Sequence, residues 1–183
     1  MRGSETGELV FEDCEVPAEN LMGAEGQGVY ILMKGLDYER LILSAGALGI
    51  NQAAMDEALN YTADRKQFGS ALMDFQITQM KLADMYTSLQ ATRSMVYSMA
   101  TMFDAGVKSN MDSAAVFLQA SRSAYAAADE ALQLHGGNGY INEYPVGRLL
   151  RDAKLYDIGG GTKEIRQWLI GRELGKIYGN AKK

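Results

Sequence analysis

Residues 28–50 read GVYILMKGLDYERLILSAGALGI, and their periodicity decides the fold class. Val29, Leu32, Leu36, Glu39, Leu43, Gly46 and Ile50 recur at alternating spacings of three and four. Ile31, Gly35, Tyr38, Ile42, Ala45 and Gly49 form a second, mostly apolar stripe, and Met33, Asp37, Arg40 and Ser44 form a polar one. Such recurrence fits a 3.6-residue period and no strand. The pattern predicts a helix from about Gln27 into the low sixties. Apolar over most of its circumference, it is expected to be buried against several neighbours. Gly46, Ala47 and Gly49 leave room for another backbone to come close.

The same reading extends toward the C-terminus. Thr62 to Gly69 (TADRKQFG) reads as a loop. A second helix is predicted from about Leu72 to Phe103, where Phe75, Gln79, Leu82, Tyr86, Leu89, Arg93, Val96, Ala100 and Phe103 make a heptad-like seam. Ala105-Gly106 stops it. A third, alanine-rich helix opens near Asn110 to Ser113 and ends at His135-Gly136-Gly137-Asn138-Gly139, a glycine stop signal. A short helix follows Pro145 to about Leu155, and Gly159-Gly160-Gly161 links it to a last helix with Thr162 as N-cap, running to about Tyr178. The expected fold is all-α, an antiparallel up-down-up-down helical bundle. Toward the N-terminus, residues 8–16 (ELVFEDCEV) read as one strand, ended by Pro17. A single strand lacks a partner, so this one needs strands from a missing segment or another chain.

Composition narrows the function. The chain has 183 residues, the size of one ordinary domain, with 47% hydrophobic and 22% charged residues. Its formal charge of -5 argues against a nucleic-acid or anionic-membrane surface as the main partner. One Cys and one His leave little room for a zinc site or a His-dependent nucleophile, and the lone Cys points weakly to a reducing compartment. The most apolar run, Val29 to Ile50, is broken by Lys34, Asp37, Glu39 and Arg40, so no membrane span is expected. The N-terminus has no signal-peptide core and enters the expected strand directly, as in a chain that begins partway through a larger protein. No segment matches a dinucleotide-binding fingerprint or a P-loop.

Glu39 stands out by position. A carboxylate between Leu36 and Leu43 is expected to be desolvated, with a raised pKa suited to a general base. The alternative is a buried ion pair with an arginine such as Arg93. Arg65 in its loop is either a phosphate or carboxylate contact or a solvated arginine, and Phe68 reads more readily as a core plug than as a stacking platform. The 135–139 glycines permit close backbone approach to a ligand, or only stop a helix. The Gly159–Thr162 segment opens a helix and could hold an anion, but Glu164 in the same first turn opposes a phosphate there. Trp168 and Tyr140 read as packing residues.

Six motifs in fixed order then matter together: VFEDCEVPAENLMG at 10–23, GLDYERL at 35–41, RKQFG at 65–69, FQ at 75–76, QLHGGNGYINEYPVGRLLRDAKLYDI at 133–158 and GGGTKEIRQWLIGREL at 159–174. In these the chain resembles the C-terminal half of the acyl-CoA dehydrogenases. The resemblance implies that residues 1–23 end the middle β-domain and residues 24–183 form the C-terminal helical bundle. It also implies an FAD enzyme that oxidises an acyl-CoA to its 2,3-enoyl-CoA and passes electrons to electron-transferring flavoprotein. Such an enzyme is expected as a homotetramer (a dimer of dimers) in the bacterial cytoplasm or the mitochondrial matrix.

Most members carry the base as a glutamate immediately before the Gly-Thr of the last motif, where this chain has Gly160. Branches lacking that glutamate place it on the first helix of this domain, and Glu39 matches that place. By resemblance Arg65, Phe68 and Gln76 approach FAD held mainly by another subunit. Gln133, Leu134, His135, Gly136 and Gly137 line FAD, as do Thr162, Lys163 and Glu164. Tyr30, Asp37, Tyr38, Arg40, Gly160 and Gly161 line the acyl-CoA. The wording is nearest the branch that oxidises isovaleryl-CoA to 3-methylcrotonyl-CoA in leucine breakdown. A long-chain or other branched-chain specificity is the alternative within the family. A helical oligomerisation fragment, inactive alone, is the alternative outside it.

Overall fold

The structure, a computed structural model, describes residues 4–179. Its elements in chain order are α1 (Gly28–Asp64), a two-residue-per-strand hairpin of β1 (Lys66–Gln67) and β2 (Ser70–Ala71), α2 (Gln76–Asp104), α3 (Asn110–His135), α4 (Gly137–Tyr140), α5 (Val146–Ile158) and α6 (Lys163–Gly179). The all-α expectation holds, and α3 lies at the centre, packed against α1, α2, α5 and α6.

Local signals set the helix ends. Ser109 Oγ accepts from the Asp112 backbone N–H at 3.1 Å and caps α3. Gly136, at φ +58, ends it. Pro145 precedes α5, where its missing N–H costs nothing. The expected loop after residue 62 is partly helix: the Thr62 hydroxyl bonds back to Ala58 O at 2.7 Å, and α1 continues to Asp64. The rest is the hairpin, turned by Phe68 and Gly69, both at positive φ. A 3-10 turn, Leu72–Asp74, then separates the hairpin from α2.

The expected strand at 8–16 is not formed; the segment is irregular and exposed, followed by a 3-10 turn at Ala18–Asn20. A strand is held by a ladder to a neighbour, and nothing among the described residues pairs with this one.

Two faces also differ from expectation. In α2 the buried line is Thr78, Leu82, Met85, Leu89, Thr92, Val96 and Met99. Leu82, Leu89 and Val96 belong to the predicted seam, whereas Gln79 and Tyr86 point to solvent. Threonine methyls and pliant methionines take the alternate positions, which a search for large apolar residues passes over.

In α1 the buried line is Arg40, Leu41, Ser44, Ala47, Asn51, Ala54, Met55, Ala58 and Thr62. The stripe that reads as polar therefore leads into the core, while Val29, Tyr30, Leu32, Met33 and Ile42 are exposed. The reason is size. The facing surface of α3 presents Ala114, Ala120, Ala124, Ala127, Ala128 and Ala131, all buried, and Ser44, Ala47, Ala54 and Ala58 on α1 are small enough to let the two helices approach closely. Gly46 abuts the Tyr156 side chain of α5 rather than a backbone, and a Cβ at Gly49 would meet nothing within 4 Å. Between the helices, Asn51 Nδ2 donates to Ser123 Oγ at 2.6 Å, and Ser123 and Ser88 share a hydroxyl bond of 2.7 Å.

Candidate functional site

The predicted site residues fall into two groups at opposite ends of α1. Arg40 and Arg65 are 25 positions apart on or beside that helix, which at about 1.5 Å per residue is roughly 37 Å. No single site on one chain gathers them.

The first group surrounds the Gly159–Gly161 turn. Arg40, only 4% exposed, donates from Nε to Gly160 O at 3.4 Å and from Nη1 to Asn110 Oδ1 at 3.2 Å. The same Nη1 is 3.4 Å from Asp37 Oδ1. Arg40 thus ties α1 to the turn and to the start of α3 through Nε and Nη1. Burial raises the Asp37 carboxyl above its ordinary range, and the Arg40 guanidinium opposes that shift.

The turn itself is tight. Gly160 and Gly161 have φ of +65° and +91°. A Cβ at Gly160 would lie 2.8 Å from Leu43 Cδ1 and 2.8 Å from Phe117 Cε1. Larger side chains are excluded unless the neighbours shift. Position 160 is thus closed to a larger side chain.

Glu39 lies four residues before Leu43, so both share one face of α1, with Cβ atoms about 5–6 Å apart. It therefore stands one helical turn from the side chain that closes Gly160. Contrary to expectation, Glu39 is exposed in this chain, and the Arg93 pairing does not form. Arg93 instead donates to Gln90 Oε1 at 3.0 Å and to Gln52, more than three turns from Glu39. Pattern alone could not show this, because desolvation of Glu39 requires a cover that α2 to α6 do not supply. Tyr30 and Tyr38 are exposed nearby, the Tyr38 ring 6.1 Å from that of Phe103.

At the start of α6, the Thr162 hydroxyl accepts from the Ile165 N–H at 3.4 Å. The Glu164 carboxyl is held below its usual range by its own backbone N–H and by the Thr162 hydroxyl. Those first-turn donors are thus satisfied within the chain, and the turn suits a neutral polar partner better than a phosphate. Lys163 is half-buried beside them.

The second group lies where the hairpin meets the end of α3. A cleft of about 300 Å³ is lined by Tyr61, Arg65, Leu134, His135, Gly136 and Gly137, among others. His135 is buried, its Nδ1 2.8 Å from Ala131 O and its ring stacked 4.1 Å from that of Tyr61. Asn138 Nδ2 donates to Tyr61 OH at 3.0 Å. A Cβ at Gly136 or Gly137 would meet nothing within 4 Å, so the backbone is open to approach. An exposed guanidinium beside open glycine backbone suits a phosphate-bearing ligand. Gln133 and Gln76 are exposed, and Phe68 is 95% exposed at the hairpin tip, not a core plug. Tyr61, Asn138 and Tyr144 line this region without having been predicted; Tyr61 lies one turn before Arg65, a spacing that could have flagged it. Tyr140 and Trp168, expected to pack, are exposed, with the Arg172 guanidinium 4.8 Å from the Trp168 ring.

No helix is long and apolar enough to cross a membrane, and no cluster of three metal-ligating side chains occurs among the described residues.

This bundle, with its glycine turn and its cleft beside Arg65, is a fold seen in known proteins. Residues 26–175 match the family model for the acyl-CoA dehydrogenase C-terminal domain. The chain belongs to the acyl-CoA dehydrogenase family. Over 176 residues it is 58% identical to the mitochondrial isovaleryl-CoA dehydrogenase of Oryza sativa subsp. japonica, covering 96% of this chain and 43% of that protein. It is 57% identical to the mitochondrial 2-methylacyl-CoA dehydrogenase of Solanum tuberosum, with the same coverage. Butyryl-CoA dehydrogenase from Megasphaera elsdenii superimposes with a TM-score of 0.87 at 43% identity, covering 90% of this chain and 43% of that one. The chain therefore spans less than half the length of the relatives it matches.

Proposed function

We propose that this chain is the base-carrying helical half of an FAD-dependent dehydrogenase of short branched acyl-CoA thioesters, with isovaleryl-CoA as substrate and Glu39 as the base. The observation that carries the reading is the closure of Gly160 by Leu43 and Phe117, with Glu39 one turn away on the Leu43 face. A carboxylate at Gly160 has no space, and Glu39 is the carboxylate next along that face.

The proton beside a thioester carbonyl is weakly acidic, so its removal needs a positioned base and a water-poor setting. Glu39 Oε would take that proton. Tyr30, Tyr38 and the other exposed apolar residues of α1 would form one wall against the acyl chain and exclude water once covered by the rest of the enzyme. Asp37, Arg40, Gly160 and Gly161 would shape the floor, with Arg40 holding the turn through Gly160 O. FAD, when bound, accepts the hydride that leaves the next carbon. Arg65, Phe68 and Gln76 would serve the flavin of a second subunit, because they lie roughly 37 Å along α1 from the Glu39 end. Gln133, Leu134, His135, Gly136 and Gly137 would serve that flavin as well, because they share its end of the bundle. Thr162, Lys163 and Glu164 would meet the flavin at the Glu39 end, Thr162 through its hydroxyl. Two half-sites at opposite ends fit a homotetramer in which each flavin is shared, with electron-transferring flavoprotein as acceptor. Residues 1–23 are read as the end of the preceding β-domain, and residues 24–183 as the helical domain.

The test is anaerobic addition of isovaleryl-CoA to the flavin-loaded holoenzyme containing this chain. Bleaching of the flavin bands at a stoichiometric dose, lost in Glu39→Gln, supports the reading. Bleaching retained in Glu39→Gln removes Glu39 as base. The 57% identity to a 2-methylacyl-CoA dehydrogenase favours one second reading, a 2-methyl-branched substrate, which wins if 2-methylbutyryl-CoA bleaches faster.

A further inference from the structure

Arg166 lies on α6 one turn beyond Thr162, and its side chain is fully buried. Its Nη1 donates to Phe117 O at 3.1 Å and to Ser121 Oγ at 3.2 Å. Its Nη2 donates to Tyr156 O at 2.8 Å and Asp157 O at 3.0 Å. The flat guanidinium lies 4.1 Å from the centroid of the Phe117 ring. Tyr156 meets the same ring edge-on, with centroids 6.4 Å apart.

These contacts have a shape that matters. Tyr156 and Asp157 belong to the last turn of α5, whose carbonyls have no N–H partners of their own. A cation at that end also matches the helix dipole. Two residues later the chain enters the Gly159–Gly161 turn. Phe117, stacked beneath the guanidinium, presents Cε1 2.8 Å from where a Cβ of Gly160 would lie. The fork therefore grips the turn from one side through the α5 backbone and from the other through the Phe117 ring. Arg40 closes the third side from α1, through Gly160 O.

Burying a guanidinium is expensive, and a well-packed apolar side chain often does the same structural work more cheaply. Burial pushes the Arg166 pKa down to about 10, which still leaves it charged at neutral pH. A cation retained at this cost points to a geometric duty that an apolar group cannot perform. A planar fork with fixed donor directions can serve two successive carbonyls, and an ammonium cannot hold the same pair with the same rigidity.

We propose that Arg166 is a positioning residue: it clamps the last turn of α5 and the Phe117 ring, and thereby sets where the Gly159–Gly161 turn stands relative to Glu39. Only the catalytic consequence of this clamp rests on the acyl-CoA reading above.

Hydrogen exchange of the 183-residue chain, read by mass spectrometry for wild type, Arg166→Met and Arg166→Lys, tests the clamp without flavin or acyl-CoA. The expected result is at least ten-fold faster exchange across the last turn of α5, residues 156–159, where the Gly159 N–H donates to Leu155 O at 2.7 Å, in both variants, with Ala120–Ala131 of α3 still protected. Arg166→Lys keeps charge and bulk, so its core serves as the reference if Arg166→Met is too unstable. Two outcomes overturn the proposal: a last turn of α5 as protected as wild type in Arg166→Lys, whether or not methionine loosens it, or simultaneous loss of protection there and in α3. In the holoenzyme, Arg166→Lys is expected to lower kcat by about ten- to a hundred-fold with KM changed by no more than about three-fold. An unchanged kcat in an enzyme that oxidises acyl-CoA also overturns it. A loosened turn in a holoenzyme that does not oxidise acyl-CoA leaves the clamp standing and sinks only the functional reading.

Discussion

Replacing Gly160 by alanine puts a methyl group where the molecule has no space for one. The added Cβ would meet Leu43 Cδ1 and Phe117 Cε1, each at 2.8 Å. Leu43 is half-buried and its terminal methyl can yield. Phe117 cannot yield, because its ring is fully buried, stacked on Arg166 and abutted by Tyr156. Overpacking of this kind costs about 1–3 kcal/mol. The positive φ of +65° adds about 1–2 kcal/mol for an L side chain. Alanine's lower entropy in the unfolded chain offsets only about 0.4–1 kcal/mol of that loss. The neighbouring residue supplies the control. Gly161 has φ +91°, but its Cβ would lie 3.7 Å from Arg40 Nη2 and 3.8 Å from Ile165 Cγ2, ordinary contacts. Gly161→Ala therefore carries the backbone cost alone, and the difference between the variants isolates the packing cost, about 1–3 kcal/mol. At about 2–4 °C per kcal/mol for a chain this long, Gly160→Ala should melt about 2–12 °C below Gly161→Ala. Thermal unfolding followed by circular dichroism reads this directly. Melting temperatures within about 1 °C of each other would refute the claim that Gly160 is closed, and with it the main support for a displaced base.

Glu39→Gln in the holoenzyme should lower kcat by at least about a hundred-fold, as loss of a general base does, while the melting temperature of the 183-residue chain stays within about 1 °C because Glu39 is exposed there. Turnover within a few-fold of wild type would exclude Glu39. Ser123→Ala removes the hydroxyl shared by Asn51 and Ser88 and leaves a buried amide donor unpaired; urea unfolding should show a loss of about 1–3 kcal/mol. Arg65→Ala should weaken flavin retention, read as the ratio of flavin to protein absorbance after gel filtration, without lowering the melting temperature of the chain. For Asp37, burial raises the folded-state pKa above the ordinary 3.8, so between those values the folded chain binds more protons than the unfolded one. This group therefore adds stability as pH falls through the raised pKa toward 3.8 and withdraws it as pH rises. Asp37→Asn should flatten that part of the melting-temperature profile, and an unchanged slope would show that Asp37 is not shifted.

Much of the architecture was legible in the sequence because its signals are local. Ser109 caps α3 through its own side chain, Gly136 ends it through a backbone conformation, and Pro145 opens α5 through a missing donor. None of these depends on a distant neighbour, so α3 and the start of α5 were predicted at the residues where they occur. The family motifs were legible for a related reason, since short runs such as RKQFG and GGGTKEIRQ keep their order in the chain regardless of packing.

What the sequence by itself determined, then, is which residues form helices and which share a helical face. Which face is covered was decided only by the tertiary structure. Arg40 and Ser44 read as polar yet lie inside, because Arg40 finds acceptors in Gly160 O and Asn110 Oδ1, and the Ser44 hydroxyl donates to Arg40 O within the helix. Glu39 reads as buried yet is exposed, because no other helix of this chain covers its side of α1. No pattern in the sequence marks Arg166, because only the folding of α3 and α5 brings four acceptors around it. The physical reason is the same in each case. Periodicity is a property of one helix, whereas burial is a property of the surface that meets it.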